Sequence, residues 1–599
     1  MDILGVSCFY HDSAAVLLRD GEIVAASQEE RLTRKKHDSG FPERAINFCL
    51  ERGGIKGPDL DYVVFYEKPM VKVGRILQTA LGTFPRSWDF WREAITSYIG
   101  SDGKFWIKKY LQDHLGVRAD QVLFCDHHMS HAASAFFASP FEDAAVMTID
   151  GVGEWTTTTT GIAKGSFNGT GENTINLFTE QRFPHSLGLL YSAFTAFLGF
   201  RVNNGEYKVM GMSPYGDPTY VDKVRQLITL NDDGSFYLNM DYFSYHHSAT
   251  NSFNDKFIKL FGEPRIHSEE FFTARSDPSR ANEPEVERNQ YYADIAKSIQ
   301  VVTEEALVNM ANALHKKTGA KNLVMAGGVA LNSVANYKIL TETPYEDVYI
   351  QPAAGDDGGA LGAALWAYHM VLGKPRKLVM KDAYLGQDFT DDEIRVFLES
   401  NNIPYQYFED EDKMVDFITD QIIDQKVVSI FQGRFEWGPR ALGNRSILAD
   451  PRRAEMKDIV NRKIKFREPF RPFAPVVLAE RAAEYFDYPN VETAMLPRFM
   501  LAVSPVPEDK RDVAKATTHE GGTGRLQTID KETNPRYYKL VERFGEATGV
   551  PILINTSFNL RGEPIVSSPA DAWKTFSNSG IDWLMLEKFV VGKSSNDES

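Results

Sequence analysis

The stretch DAAVMTIDGVGEWTTTTTGIAKG, residues 143–165, decides the fold of the first half of the chain. It predicts a buried strand that ends at Asp150, a glycine-rich turn and a second strand rich in threonine. The N-terminus has a similar plan, because DILGVSCF and SAAVLLRDGEIVAASQEE predict strands around a tight RDG turn, with His11 and Asp12 at a tip. An acidic residue therefore stands at the tip of each of two strand–turn–strand units.

A Gly-Gly turn late in the first half completes this pattern. KNLVMAGGVALNS, residues 321–333, predicts a strand, a turn and the start of a helix, and DVYIQPAAGDDGGALGAALWAYHM, residues 347–370, repeats that order. The backbone N–H groups of Gly327 and Gly328 would lie close to a nucleotide or phosphate. Strands that alternate with helices predict an α/β fold, and the ordered set resembles the actin-like ATPase superfamily of sugar kinases and heat-shock chaperones.

The length of 599 residues is too great for a single core, so we expect two domains or more. We place an actin-like domain at 1–375, with an insertion at about 218–290 that shapes a pocket or a dimer contact. A second α/β domain at 380–590 begins with a predicted helix, TDDEIRVFLESN, and a predicted strand, KVVSIFQ. Residues 591–599 are predicted to be a disordered tail.

The composition excludes several classes of protein. A net charge of −16 argues against nucleic acid or a membrane surface as a partner. The three cysteines, Cys8, Cys49 and Cys125, allow neither a disulfide framework nor a CxxC zinc site. No apolar run is long enough to cross a bilayer, and the N-terminus lacks the basic region of a signal peptide. We expect a soluble cytoplasmic protein, and a homodimer is left open.

A helix over residues 127–137 would place His127 and His131 one turn apart on the same face. The helical geometry turns His128 about 100° away from them. His128 also stands where the HExxH metalloproteases have glutamate, so peptidase chemistry is not supported. The pair at positions i and i+4 therefore predicts a metal site, and the alternative is a pair of histidines that cap the helix.

Acidic residues at matching strand ends would complete such a site. Asp150 ends one predicted strand, and GDDGGALG offers Asp356 or Asp357 after another. Two histidines and two aspartates suit Fe²⁺, Mn²⁺ or Zn²⁺ better than Mg²⁺.

The most basic stretch of this acidic protein lies at residues 433–475. Its cationic residues are irregularly spaced among Gly, Pro and Phe, which favours loops over a solvated helix face. Arginine binds phosphate with two parallel hydrogen bonds, so the stretch predicts an anion pocket, with a plain surface patch as the alternative. The residues are Arg434, Arg440, Arg445, Lys465, Arg467 and Arg471.

Two further stretches match this pocket. THEGGTGRLQTI, residues 518–529, is a glycine-rich loop, and PILINTSFNLRGEPIV, residues 551–566, is a hydrophobic strand that ends in small polar residues. Small polar side chains just past a buried strand are typical ligand-binding positions in α/β sheets. The residues are His519, Thr523, Arg525, Asn555, Ser557 and Asn559, of which Ser557 and Asn559 form an SxN pair to match the KxR of Lys465 and Arg467.

Taken in order along the chain, these motifs resemble the O-carbamoyltransferases of antibiotic and nodulation-factor biosynthesis. The resemblance implies an N-terminal domain like the tRNA threonylcarbamoyl transferases and a C-terminal domain of the carbamoyl-AMP-synthase type. The motifs that carry it are HDSAAVLL, EERLTRKKH, HHMSHAASAF, DGVGEWTT, NNGEYKVMGMSPYG, AGGVALNS, QPAAGDDGGALGAA, GRFEWGPRALGNRSIL, REPFRPFAP and NTSFNLRGEPIV.

The resemblance also implies the roles of individual residues. His127, His131, Asp150 and Asp356 look like the metal ligands, and Asp356 is preferred to Asp357 because Gly362 follows six residues later. The loop at 519–523 reads HEGGT where the family has His-x-Asp-Gly-Thr, which puts any role of that aspartate in doubt. The substrate- and nucleotide-binding positions also include Lys36, Lys208, Gly327, Gly328 and Asn332.

The implied reaction is an ATP-dependent carbamoyl transfer. Carbamoyl phosphate and ATP, with Mg²⁺, would give carbamoyl-AMP in the C-terminal domain, where Lys465 and Arg467 offset phosphate charge. The carbamoyl group would then pass internally to the first domain and to a hydroxyl of a small-molecule natural product, with Fe²⁺, Mn²⁺ or Zn²⁺ at the metal site. His11 or Asp12 would orient or deprotonate that hydroxyl.

Two other functions compete with this reading of the sequence. One is a small-molecule kinase with the actin-like fold, which would need neither the C-terminal basic pocket nor histidine ligands. The other is a non-enzymatic, ATP-driven binding module, which would lack the HxxxH pair.

Overall fold

A computed structural model describes residues 1–100, 103–167, 169, 172–468 and 470–593. The chain forms two compact units: unit 1 contains Met1–Glu29 and His37–Met380, and unit 2 contains Glu30–Lys36 together with the chain from Lys381 onward. Of the predicted tail, residues 591 and 592 belong to a strand, and residues 594–599 lie outside the described part. Among the described residues, no helix combines the length and the apolar character needed to cross a membrane.

Unit 1 contains the same five-stranded sheet topology twice. Its strands are β1 (Asp2–Ser7), β2 (Ala14–Arg19), β3 (Glu22–Gln28), β4 (Tyr62–Phe65), β5 (Val122–Phe124), β6 (Asp143–Ile149), β7 (Thr156–Lys164), β8 (Thr174–Arg182), β9 (Ile228–Leu230), β10 (Phe236–Leu238), β11 (Asn322–Ala326) and β12 (Asp347–Tyr349). One sheet has the order β3-β2-β1-β4-β5 and the other β8-β7-β6-β11-β12. In both, the first three strands are antiparallel and the remaining pairs are parallel. This duplication confirms the predicted α/β fold of the actin-like type.

Helices cover these sheets, and glycine ends two of them. The helix at residues 127–136 is present, and Gly54 and Gly319 end two helices in the left-handed conformation. The helices up to Trp366 are α1 (Glu29–Thr33), α2 (Glu43–Gly53), α3 (Pro69–Thr83), α4 (Trp88–Ile99), α5 (Ile107–Leu115), α6 (His127–Phe136), α7 (Leu187–Phe197), α8 (Glu206–Met212), α9 (Val221–Val224), α10 (Asp255–Phe261), α11 (Glu285–Thr318), α12 (Ser333–Glu342) and α13 (Gly358–Trp366).

Close approaches of backbone hold the elements that carry the candidate site. A Cβ atom at Gly362 on α13 would collide with the carbonyl oxygen of Ser130 on α6, so only glycine allows the two helices to lie this close. The predicted RDG turn between β2 and β3 has positive φ at Asp20 and Gly21, as a tight hairpin requires. The expected insertion at 218–290 contains the β9–β10 pair and α10, whose Phe257 packs against Phe194 of α7.

Unit 2 is built on one eight-stranded mixed sheet with the order β13-β22-β21-β14-β15-β20-β16-β19 and a separate β17–β18 pair. These strands are β13 (Gln406–Tyr407), β14 (Val428–Phe431), β15 (Arg445–Ala449), β16 (Ala474–Leu478), β17 (Val503–Pro505), β18 (Thr523–Arg525), β19 (Gln527–Ile529), β20 (Ile552–Ser557), β21 (Trp583–Leu586) and β22 (Phe589–Gly592). Its helices are α14 (Asp391–Ser400), α15 (Glu411–Ile423), α16 (Glu455–Ile459), α17 (Met495–Arg498), α18 (Pro535–Thr548) and α19 (Pro569–Ser577). Successive residues of a strand point to opposite faces of the sheet, so the neighbours Ile447 and Leu448 belong to two separate cores.

The segment Glu30–Lys36 is part of unit 2, although the sequence analysis placed it in the first domain. The buried Arg31 donates from Nη2 to the carbonyl oxygen of Gly438 at 2.6 Å. Arg34 donates to the carbonyl oxygens of Ile565 and Pro564 at 2.5 and 2.9 Å. These bonds join residues about 400 to 530 positions apart in the sequence, so no local pattern could have predicted them.

Candidate functional site

Four side chains of unit 1 meet in one buried cluster. His127 and His131 project from α6, Asp150 directly follows β6, and Asp356 lies two residues before α13. The Nε2 atoms of the two histidines are 3.1 Å apart, and Asp150 Oδ2 lies 3.4 Å from His127 Nε2. Asp356 Oδ1 is 3.6 Å from His127 Nε2 and 3.5 Å from His131 Nε2. One ligand atom of each residue lies within 4.8 Å of the others.

These residues fit a divalent metal ion. Both carboxylate oxygens of Asp356 are buried and have no hydrogen-bond partner within the described ranges of the chain, which would be unfavourable unless a cation lay beside them. A first-row metal with bonds of about 2.0–2.2 Å holds neighbouring ligand atoms roughly 3.0–3.6 Å apart, as found here. Two imidazoles and two carboxylates suit Fe²⁺, Mn²⁺ or Zn²⁺. The neighbouring Asp357 instead accepts from Gln28 Nε2 at 2.8 Å, so the geometry favours Asp356 as the ligand.

The charges of the cluster are coupled. Burial alone would lower the pKa of His127, but Asp356, Asp150 and Glu67 raise it to about 10. Burial works against the charge of Asp150 as well, yet its histidine neighbours hold its pKa well below the usual range. A metal must therefore displace a proton from the ligands when it binds. His128 points away, bonds to Thr148 Oγ1 at 2.7 Å, and is kept neutral by burial, which lowers its pKa to about 3.

The Gly-Gly turn supports this cluster. Gly327 has a φ of +95°, and a Cβ atom there would collide with the carbonyl oxygen of Ile149. The N–H of Gly328 donates to Asp150 Oδ1 at 3.0 Å. One of the two amides that we expected near a phosphate therefore holds a carboxylate of the cluster. Asn332 accepts from the N–H of Ala335 and caps α12.

Three more side chains form a hydrogen-bonded row near the first hairpin tip. Asp12, with a φ of +53°, accepts from His11 Nδ1 at 3.0 Å and from His37 Nδ1 at 2.8 Å. Burial alone would lower the pKa of His11, but the bond to Asp12 and the charges of Asp356 and Asp150 raise it to about 9. His11 and Asp12 were predicted from the sequence, whereas His37 was not.

Two other predicted binding residues have partners within their own units. Lys208 Nζ lies 5.4 Å from the ring centre of Phe200 in unit 1. Lys36 Nζ lies 3.0 Å from Glu30 Oε1 in unit 2. Neither contact tests the predicted role in substrate binding.

Unit 2 brings the KxR and SxN residues together. Lys465 ends a π-helical turn, Val460–Lys465, and Phe466 after it has a φ of +47°. The Lys465 amino group donates to Ser557 O at 2.7 Å, to Asn559 O at 3.0 Å and to Asn559 Oδ1 at 2.7 Å. The two pairs therefore converge, although about 90 residues separate them in the sequence.

The surroundings of Lys465 are strongly cationic. Burial, together with the charges of Arg467 and Arg471, lowers the pKa of Lys465 well below its usual value. Arg467 Nε donates to Asn461 Oδ1 at 2.7 Å, and its guanidinium lies over the ring of Phe473. An anion bound here would relieve the mutual repulsion of these groups.

His519 and Arg525 lie in the same cationic neighbourhood of unit 2. Burial, with the charges of Arg525 and Lys457, lowers the pKa of His519 to about 3. Thr523 accepts at its carbonyl oxygen from the N–H of His519 and so closes the glycine-rich loop. Gly521 and Gly522 have φ values of +84° and +72°, which an aspartate would adopt only with strain.

Three of the predicted anion-binding residues have internal roles in the structure. Arg445 is fully buried, and its Nη atoms donate to the carbonyl oxygens of Gln432, Asn444, Gln387 and Gly433. Arg434 donates to the carbonyl oxygens of Gly386 and Leu385. Asn555 Nδ2 donates to Ala441 O and Gln527 Oε1. These contacts fix loops next to the central strands β14, β15 and β20, and they do not test the predicted roles in anion binding. Arg440 and Arg471 are half-buried, and Arg471 Nη1 pairs with Glu468 Oε2 at 3.5 Å.

Comparisons with known proteins place this arrangement in a family. The repeated sheet of unit 1 has the actin-like fold. Models described as the carbamoyltransferase N-terminus and the carbamoyltransferase C-terminus match residues 2–365 and 419–593. The chain belongs to the carbamoyltransferase family, and it is a transferase.

Relatives extend over the whole chain. It is 45% identical to an uncharacterized protein of Synechocystis sp. over 100% of this chain and 97% of that protein. It is 36% identical to the nodulation protein NolNO of Sinorhizobium fredii over 98% of this chain and 79% of that protein. The nodulation protein NolO of Bradyrhizobium diazoefficiens is 37% identical over 78% of this chain and 79% of that protein.

Solved structures are more distant. HypF of T. kodakarensis aligns with 62% of this chain and 48% of that chain, at 14% identity and a TM-score of 0.31. The ROK hexokinase of Thermus thermophilus aligns with 61% of this chain and 98% of that chain, at 15% identity and a TM-score of 0.27. Scores this low carry no argument, so the fold assignment rests on the repeated strand order of unit 1.

Proposed function

We propose that this protein is an ATP-dependent O-carbamoyltransferase that works in two steps. In unit 2, carbamoyl phosphate and ATP, with Mg²⁺, give carbamoyl-AMP. In unit 1, the carbamoyl group passes to a hydroxyl of a small-molecule natural product, such as an antibiotic or toxin precursor, in the cytoplasm. The observation that carries the proposal is the convergence of Lys465 on Ser557 and Asn559 beside Arg467 and Arg471.

This convergence supports nucleotide chemistry in unit 2. Carbamoyl phosphate loses its phosphate to water, and the resulting carbamate oxygen attacks the α-phosphorus of ATP with release of pyrophosphate. Negative charge accumulates on the phosphates as the leaving group departs. Preorganised cations such as Lys465 and Arg467 stabilise that charge without reorganisation. Ser557 and Asn559 hold the Lys465 ammonium in place through three acceptor contacts of 2.7–3.0 Å.

Transfer to the acceptor is proposed for unit 1. His127, His131, Asp150 and Asp356 would hold Fe²⁺, Mn²⁺ or Zn²⁺. The metal, when bound, supplies a Lewis acid for the phosphate of the AMP leaving group.

The row of His11, Asp12 and His37 can orient the acceptor and receive its proton. Asp12 accepts from the Nδ1 of both histidines, which leaves Nε2 of His11 to receive the hydroxyl proton when His11 is neutral, a state that becomes commoner as the pH rises toward its pKa of about 9. The deprotonated oxygen attacks the carbamoyl carbon, and AMP departs. Asp12 stabilises the His11 imidazolium that forms, because its own pKa stays far below the usual range.

The test needs no knowledge of the acceptor. Wild-type protein with ATP and radiolabelled pyrophosphate should exchange label only when carbamoyl phosphate is present. Exchange without carbamoyl phosphate, or none under any condition, would reject carbamoyl-AMP formation. A screen of hydroxylated natural products for a mass gain of one carbamoyl group, dependent on both substrates, then identifies the acceptor.

A further inference from the structure

A buried carboxylate that the sequence analysis did not single out lies behind one of the candidate metal ligands. Glu67 stands two residues after β4 and is fully buried. Its Oε2 lies 3.7 Å from Nδ1 of His127, the ring nitrogen opposite the one that faces Asp150 and Asp356. His127 Nδ1 has no hydrogen-bond partner in the described part of the chain. A shift of less than 1 Å would bring the two atoms within hydrogen-bond distance.

Two lysines keep this carboxylate charged. Lys104 Nζ lies 2.6 Å from Glu67 Oε1, and Lys72 Nζ lies 3.3 Å from Glu67 Oε2. Lys104 also donates to Tyr66 Oη at 2.9 Å, and the Tyr66 ring packs 5.4 Å from the ring of His127.

An ordinary structural ion pair does not account for this arrangement. A buried group of three charges is expensive to desolvate, and a well-packed apolar set would be as stable or more stable. Nδ1 of both histidines lacks a hydrogen-bond partner among the described residues, but only Nδ1 of His127 has a carboxylate within 4.0 Å there. The carboxylate is therefore directed at His127 in particular.

We infer that Glu67 is a positioning residue that holds His127 in the metal-binding tautomer. This inference rests on the proposed metal site. Its carboxylate accepts the Nδ1–H of His127, so the lone pair of Nε2 points toward Asp150 and Asp356. Metal-bound histidines commonly donate their second ring N–H to a carboxylate, which fixes the ring and makes it a stronger ligand. Lys72 and Lys104 keep Glu67 from adding a third uncompensated negative charge beside the two aspartates.

A matched pair of full-length variants isolates the carboxylate. Lys104→Met keeps Glu67 charged through Lys72. Glu67→Gln/Lys104→Met differs from it only in the carboxylate, and it conserves the net charge of the wild-type group, because one negative and one positive charge are removed together. The probe is Co²⁺, titrated into apo-protein under anaerobic conditions against a competing chelator, with its visible absorption as readout. Circular dichroism shows whether each variant folds.

We expect Lys104→Met to bind Co²⁺ within about threefold of wild type. The double variant should bind about 10- to 100-fold more weakly and show a shifted visible band, since the ligand field of His127 changes. Equal affinity and equal spectra in the two variants would overturn the inference while leaving the metal site intact. Failure of wild-type protein to bind Co²⁺ would overturn the metal site itself.

A second measurement covers the case in which the double variant does not fold. In a crystal structure of the metal-loaded wild-type protein, Glu67 Oε2 and His127 Nδ1 should lie about 2.7–3.2 Å apart. A separation that remains above 3.5 Å with metal bound would contradict the inference.

Discussion

The two candidate sites are both buried, but they are built from opposite charges. In unit 1, Asp150 and Asp356 lie beside two histidines, and the carboxylate of Asp356 has no hydrogen-bond partner in the part of the chain that the structure describes. In unit 2, Lys465 lies among arginines that lower its pKa. The acidic cluster of unit 1 therefore needs a cation to balance its charge, and the cationic group of unit 2 needs an anion. In the proposed mechanism, the cationic group of unit 2 would form the adenylate, and the metal cluster of unit 1 would take part in carbamoyl transfer.

The largest effect is expected when a metal ligand is replaced, compared with the replacement of a histidine on the same helix that lies outside the cluster. His131→Ala should remove metal and lower carbamoyl transfer by about a thousandfold or more, because a Lewis acid is worth several kcal/mol. Metal content by mass spectrometry and carbamoylated product by chromatography measure the two effects. His128→Asn is the control, since His128 bonds to Thr148 and Thr156 outside the cluster, and it should keep its metal. Equal metal loss in both variants would contradict the ligand assignment.

The next largest effect is a difference in the free energy of unfolding between variants of two arginines in unit 2. Arg445→Met should lower the free energy of unfolding by about 3–5 kcal/mol, because it removes a buried charge that bonds to four carbonyl oxygens. Arg467→Met should lower it by about 1 kcal/mol, since Arg467 is half-buried. Urea unfolding followed by circular dichroism measures both. Similar losses would mean that Arg445 has no greater structural role than Arg467.

A substitution in the proposed anion pocket should lower the affinity for ATP. Arg467→Ala should weaken ATP binding by about 10- to 150-fold, which corresponds to the 1.5–3 kcal/mol of a hydrogen bond to a charged group. Isothermal titration calorimetry measures the affinity, and metal content serves as the control because the metal ligands lie in unit 1. An unchanged ATP affinity would move the nucleotide pocket elsewhere.

The smallest effect concerns pH. The pKa of His11 is raised to about 9 from an ordinary value of 6.5, so its charge stabilises the folded protein fully below pH 6.5 and is lost as the pH rises from 6.5 to 9. A tenfold change in proton affinity corresponds to about 1.4 kcal/mol, and partial solvent screening reduces the total contribution of His11 to about 1–2 kcal/mol. Urea unfolding of metal-free protein at both pH values should show a smaller decline for His11→Gln than for wild type, because His127 titrates over the same range in both proteins. A parallel decline in the variant would assign it to another group.

Local patterns were enough to predict much of unit 1. The hairpin turns, the helix that carries His127 and His131, and the acid at the end of β6 follow from periodicity and turn chemistry within about 20 residues. The two strand–turn–strand units with acidic tips then indicated an actin-like fold, whereas the duplication of the five-stranded sheet was found only in the structure. The motif match in turn indicated that Lys465 and Ser557 belong to one pocket.

Contacts between distant segments could not be predicted in this way. Arg31 and Arg34 belong to unit 2 through bonds to residues hundreds of positions away. The burial of Arg445 at the start of β15 could not be predicted either, because a basic stretch gives no sign of which arginine is buried. Glu67 had a weak signal, since it follows a parallel strand as Asp150 follows β6, but its lysine partners lie on other elements.

The division of labour between the two units is tested most directly by pyrophosphate exchange that depends on carbamoyl phosphate, measured in His131→Ala. The variant should keep exchange within about threefold of wild type while losing carbamoyl transfer, because adenylate formation needs only the cationic cluster of unit 2. Arg467→Ala, assayed beside it, should lose exchange. Loss of exchange in folded His131→Ala, or its persistence in Arg467→Ala, would contradict the account.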